Sequence, residues 1–293
     1  MTLKLWRALN DPPATHPIFV RTVLLPPLDK RYSITSAGVM IGLVMRMSEF
    51  MPTVLIFLMP LVLAGCGLTY GLDCAMRVSQ FIAYERKNNT YELLALCPQG
   101  ALAACWVICT SLLYQNRHFQ RMLEIVKNSV RIAFAVIGLI LILFVGVSFS
   151  IILSSSHLAL SIIVPLINAV AVVTLIYSEY MQSTVIGCLT GLIIPTFSSG
   201  ITDAFLYAPA VYLLIKIGCY AVDVLIGFTL LDRIYQMLGI QHGLPDILLT
   251  LIRVIIIVVV QDIVIRFLWQ LTLNRTDTLV KDADLALYPP PRR

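Results

Sequence analysis

Charge is what this sequence has least of. Asp, Glu, Lys and Arg make up only 13% of its 293 residues, against roughly a quarter in an ordinary soluble domain. With 59% hydrophobic residues and a mean hydropathy of +0.88, a chain so poor in charge reads as an integral membrane protein. The regular apolar/polar alternation of a transmembrane barrel is missing as well, so the spans are expected to be helices. A formal charge of +5 is small for a nucleic-acid binder, and the basic residues stand in loops beside apolar runs, where they orient a membrane protein. Nucleic acid is therefore excluded as a partner.

Catalytic signatures are equally scarce. No GxxxxGK[ST] run occurs, so any ATP hydrolysis must belong to another subunit. There is no HExxH, no nucleophile elbow and no pair of carboxylates at helical spacing inside an apolar run, and enzyme activity in this chain is not expected. His16, His118, His157 and His242 all fall in loops or at the ends of apolar runs, away from the mid-span position of a haem or pigment ligand. The seven cysteines contain no CxxC pair and sit mostly within apolar runs, as small apolar filler rather than ligands or disulfides. No cofactor and no metal are expected. The amino end has no charged segment leading into a short apolar core and a cleavage site, so insertion is expected to rely on the spans themselves.

What is present is a series of apolar runs. Residues 33–48, 53–79, 132–153, 158–177, 205–230 and 247–271 are read as spans by their length. Residues 100–115 and 183–199 are shorter. A full crossing by the first would strand Arg117, Arg121, Lys127 and Arg131 outside, so both are read as re-entrant or interfacial helices, tolerated at membrane depth only when packed against other helices. The expected fold is all-α and polytopic, with about six transmembrane helices, two re-entrant or interfacial helices and an amino-terminal surface helix. Residues 1–32 form a basic, proline-broken interfacial segment. Residues 33–273 form a single transmembrane domain with a loop over 82–99, and 274–293 a cytoplasmic tail. The positive-inside rule puts both termini in the cytoplasm of a multi-pass protein in the cell membrane, as in a bacterial inner membrane.

The segment after the second span, from Tyr84 to Pro98, breaks the apolar pattern with Glu85, Arg86 and Lys87. Asn89 and Glu92 have the spacing of a capping box that starts a short amphipathic helix carrying Leu93 and Leu94 and closed by Pro98. Spacing alone leaves two readings open, a plain capped loop helix or a stub that shows one face to a soluble partner. Within the last two spans, Asp223 and Arg253 lie equally far from the intervening turn, as do, nearly, Lys216 and Asp262. They are expected as interhelix ion pairs, with Arg266 one turn from Asp262. Gly38-xxx-Gly42, Gly67-xxx-Gly71 and Gly187-xxx-Gly191 permit close helix contact, within one bundle or between copies.

The run Tyr84-Glu85-Arg86-Lys87-Asn88-Asn89-Thr90-Tyr91-Glu92-Leu93-Leu94-Ala95-Leu96-Cys97-Pro98, placed just after a second span, resembles the first cytoplasmic loop of ABC-2-type transporter permeases. This chain has Asn89 where that family usually has glycine. The resemblance implies a membrane-spanning subunit of an ABC exporter, working as a homo- or heterodimer with ATPase subunits. It also implies a coupling helix whose partner-binding residues are Glu85, Arg86, Asn89, Thr90, Glu92, Leu93, Leu94 and Pro98. The alternative is a permease-like protein that does not transport and serves as a structural or assembly subunit of a larger membrane complex.

Overall fold

The computed structural model describes residues 1–10, 16–24, 52–88, 90, 100–115, 124, 128, 131, 135, 138, 156–198, 200–237 and 244–275. All regular structure among them is helical: α1 (Thr2–Asn10), α2 (Pro17–Leu24), α3 (Pro52–Lys87), α4 (Gly100–Gln115), α5 (Ser156–Ile193), a 3-10 turn (Ile194–Thr196), α6 (Ile201–Val224), a π-helical stretch (Leu225–Leu230), α7 (Leu231–Met237) and α8 (Leu244–Arg275). The chain divides into two compact units. One comprises Met1–Gln120, Glu179–Ile217 and Gln261–Arg293, the other Arg121–Ser178 and Gly218–Val260.

In the first unit α4 lies at the centre. It carries no charge, and its small residues Ala103, Ala104, Cys105 and Cys109 let neighbours approach from every side. A helix apolar all round has no face to offer water. Leu102 to Leu113 are accordingly all buried, with α1, α2 and α3 packed against the helix. Two of its hydroxyls are satisfied within the helix, Thr110 donating to the Val107 carbonyl and Ser111 to the Ile108 carbonyl, each at 2.8 Å, while the Tyr114 hydroxyl donates to the Asn10 carbonyl at the end of α1 at 3.0 Å. The helix has the bounds expected from the apolar run, and the condition placed on it, close packing on other helices, is met.

The second core feature is the contact of α3 with α5. A Cβ on Gly71 would collide with the Ser183 carbonyl, and one on Gly187 with the backbone of Gly71. A Cβ on Gly191 would come within 2.9 Å of the Ala75 carbonyl, and one on Gly67 within 3.2 Å of the Tyr180 Cα. The Gly67/Gly71 and Gly187/Gly191 motifs thus face each other within one chain, and the helices touch backbone to backbone. Tyr180 wedges beside this contact, edge-on to Tyr70 and to Trp6 of α1 at centroid distances of 5.6 and 5.7 Å. The third motif, Gly38-xxx-Gly42, lies outside the described residues.

Sequence length alone misplaced two boundaries. Residues 183–199 were expected as a separate re-entrant piece, but α5 continues unbroken to Ile193 and bends only at the 3-10 turn containing Pro195. Ser178, Glu179 and Ser183 do not end the helix because they are buried and bonded, Ser178 to the Leu175 carbonyl at 3.0 Å and Ser183 to Glu179 at 2.8 Å. The second run, expected to end near residue 79, continues as helix to Lys87, so Tyr84–Lys87 is the last turn of α3 and not loop.

In the second unit the wide π turn at 225–230 offers its Gly227 carbonyl to Arg253 Nε of α8 at 3.1 Å.

Among the described residues, one helix, Ile201–Gly227, is long and apolar enough to cross a membrane. Its outer side is apolar, with Leu206, Tyr207, Leu214 and Ile217 all exposed. Helix α8 exposes Leu251, Ile255 and Val259, then Ile263 and Phe267. That four-residue spacing draws one apolar stripe along the helix, about 24 Å long at 1.5 Å per residue.

Candidate functional site

Two polar places in the first unit break its apolar character. The first is the carboxyl end of α3. Glu85 is 3% exposed although it sits two residues from the helix end. Its carboxylate accepts from the Thr90 hydroxyl, which also donates to the Glu85 carbonyl at 2.9 Å. Arg21 of α2 reaches the same carboxylate at 3.4 Å. Arg86 turns the other way and donates through Nη1 to the Pro195 carbonyl in the 3-10 turn. Asn88 N still bonds the Tyr84 carbonyl at 3.1 Å, so the helical turn runs on past Lys87. The chain therefore leaves α3 fastened to α2 on one side and to the end of α5 on the other. A cation at this end also complements the helix dipole.

Glu85, Arg86 and Thr90 are thus brought together, though Glu85 points inward and not toward a partner. Asn89, Glu92, Leu93, Leu94 and Pro98, and with them the capping box, lie outside the described residues.

The second place is a buried network joining α5, α6 and α8. Lys216 is fully buried, with Nζ 2.6 Å from Glu179 Oε1 and 3.1 Å from Gln261 Oε1. Gln261 Nε2 donates to Glu179 Oε2 at 2.7 Å, and Ser183 Oγ to Glu179 Oε1 at 2.8 Å. Each carboxylate oxygen has a donor, both ends of the amide are used, and the formal charges cancel. A buried charge is tolerable only when matched in this way. Arranged so, the three side chains close on one another and tie three helices at one depth.

Of the expected intramembrane pairs, Lys216 has Glu179 and Gln261 as described partners. Asp262 accepts from the Thr2 amide and hydroxyl at 3.1 and 2.6 Å and from Arg266 Nε at 2.8 Å. Asp262 thereby caps α1 from a neighbouring helix while taking the expected one-turn partner. Successive residues on a helix point about 100° apart, from 3.6 residues per turn. Depth along the chain was therefore enough to find the right turn of α8 but not the right face. Asp223 is buried, and Arg253 is half-buried on the Gly227 carbonyl one turn further along. Glu179 and Gln261 were missed. The available signal was a carboxylate inside a stretch that is helical without a break.

A cavity of about 660 Å³ opens beside the end of α3, walled by Arg86, Lys87, Pro195, Phe197, Ser198 and Ile201 among others. Among the described residues no group of three or more His, Cys, Asp or Glu is placed to hold a metal ion. No protein-family model, no curated protein and no solved structure matches this chain.

Proposed function

We propose that this chain is the membrane-spanning permease subunit of an ABC-type exporter, coupling ATP hydrolysis by a separate subunit to movement of substrate across the cell membrane. On this reading it is multi-pass with both ends cytoplasmic, and it pairs with a second permease. The apolar outer faces of α6 and α8 support a lipid surrounding, because soluble monomers rarely expose contiguous apolar patches of that extent. The resemblance over Tyr84–Pro98 supports the kind of partner.

The observation that carries the reading is the double fastening of the α3 end. Force applied to residues 88–98 by a docked ATPase would pass through Glu85 into α2 and through Arg86 into the turn that ends α5. A segment held at its root in this way moves helices; one held by nothing would merely bend.

The test is copurification of an ATP-hydrolysing subunit with the full chain and with Glu92→Ala and Leu94→Asp. Leu94→Asp, which puts a charge on the docking face, is expected to reduce the recovered ATPase at least tenfold, and Glu92→Ala by less. Equal recovery with both variants refutes docking through this segment. Stable purification with a complex that contains no ATPase favours the non-transporting structural subunit.

A further inference from the structure

Three thiols from three helices meet inside the first unit. Cys74 of α3, Cys109 of α4 and Cys188 of α5 are 4%, 0% and 0% exposed, and the Cys188 thiol is hydrogen-bonded to both Cys74 and Cys109. The glycine contacts set this up. Gly187 lies on Gly71, and Gly191 on the Ala75 carbonyl, so Cys74, next to Ala75, and Cys188, next to Gly187, stand at one level where α3 and α5 touch through their backbones. A disulfide asks for Cα atoms roughly 4.4–6.8 Å apart, and backbone contact between two helices is the packing that allows it. Burial by itself makes a thiol inert, yet Cys74 borders open space. A niche of about 10 Å³, room for about one water-sized molecule, is lined by Cys74 together with Tyr70, Asp73, Arg77 and Leu113. The Asp73 and Arg77 side chains, bonded to each other at 2.8 Å, are 22% and 33% exposed, so the niche lies at the edge of the unit and not at its centre. Neither Cys109 nor Cys188 lines it.

An opening of that size shuts out glutathione and protein thiols and leaves reagents of a few atoms, of which hydrogen peroxide is the oxidant. We propose that Cys74 and Cys188 are a peroxide-modified pair, Cys74 the thiol attacked through the niche and Cys188 the thiol that resolves it into a disulfide joining α3 to α5. In the first step the Cys74 sulfur attacks one peroxide oxygen, the O–O bond breaks, and the other oxygen leaves as water with the thiol proton, so that Cys74 becomes a sulfenic acid. In the second the Cys188 sulfur attacks the sulfenic sulfur, the S–O bond breaks, and a second water leaves with the Cys188 proton. Two thiols lose two electrons and one peroxide becomes two waters. Cys109, hydrogen-bonded to Cys188 from α4, takes no part in the bond. The reaction needs the chain alone and does not rest on the exporter reading. Within that reading it clamps together the two helices whose ends Arg86 already joins.

The full chain, purified reduced in detergent without any partner, is exposed to hydrogen peroxide. Remaining thiols are alkylated with N-ethylmaleimide after unfolding, and peptides are mapped by mass spectrometry. Most chains are expected to carry one disulfide, Cys74–Cys188, which dithiothreitol removes. Cys74→Ala and Cys188→Ala should each lower the peroxide-induced disulfide at least tenfold, and in Cys188→Ala the Cys74 sulfenic acid should be trapped by dimedone instead. Cys219→Ala, outside the first unit, leaves the bond unchanged. Unchanged thermal unfolding of the reduced variants shows that the fold is kept, and the wild-type map does not depend on any variant folding. Absence of a Cys74–Cys188 bond in the oxidised wild type, or a bond formed mainly between Cys109 and Cys188, overturns the proposal.

Discussion

The Glu179–Lys216–Gln261 network and the Glu85–Arg86 cluster are built from similar side chains and do opposite things. In the first, Lys216 is fully buried and Glu179, Lys216 and Gln261 bond one another. In the second, a buried Glu85 is held by Arg21, whose side chain is 55% exposed, and by one hydroxyl from beyond the helix end, while the next residue, Arg86, faces a cavity. Closure makes the first a lock between helices. The second is not closed on itself, since Arg86 reaches the turn at Pro195 and stands beside an open cavity. Burial of a charge, then, marks function less well than whether its bonds are completed within the fold.

The largest expected effect comes from opening the lock. Lys216→Met strands the Glu179 carboxylate and should cost about 3–5 kcal/mol, read from thermal unfolding followed by fluorescence of Trp6, Trp106 and Trp269. Adding Glu179→Leu should restore most of that loss. A single change that costs less than any change at Glu85 would erase the distinction. Next comes Gly187→Ala, which forces apart two backbones with no flexible side chain to give way. About 1–3 kcal/mol is expected, in the same assay. Glu85→Gln should cost only about 1 kcal/mol, the net worth of one hydrogen bond, because its ion pair with the exposed Arg21 is screened. Its sharper effect belongs in ATPase recovery, where loosening the root of the segment should lower coupling more than stability. The smallest stability change, within about 0.5 kcal/mol, is expected of Lys87→Gln, because the side chain is exposed. A destabilisation above 1 kcal/mol there would show the cation to be part of the packing.

How far the chain could be read in advance follows from the range of each signal. The run of uncharged residues in 100–115 prescribes a helix that must be covered on all sides, and α4 has those bounds. The two glycine motifs marked surfaces of close approach, but only their juxtaposition showed that they serve each other within one chain. At residues 177–183 the sequence signal pointed the wrong way. Ser178, Glu179 and Ser183 look like a break between apolar runs, and only partners from elsewhere make them tolerable inside a helix. The pairing of Lys216 depended on the same long-range fact. Its depth was readable from distance to the turn; its neighbour on α8 depended on rotation about the helix axis.

Composition and apolar run length by themselves determined that this protein is helical, that its apolar faces outnumber what one core can hide, and that its charges would be few and concentrated. These are properties of residues and of spacing along one helix, where the rise and turn per residue are constant. Tertiary structure alone decided that Glu179 and Gln261 meet Lys216, that Gly71 lies against Gly187, and that Arg86 grips the turn at Pro195. Each of those contacts joins residues tens to more than a hundred positions apart, and no local rule sets the angle at which two helices present their faces to one another.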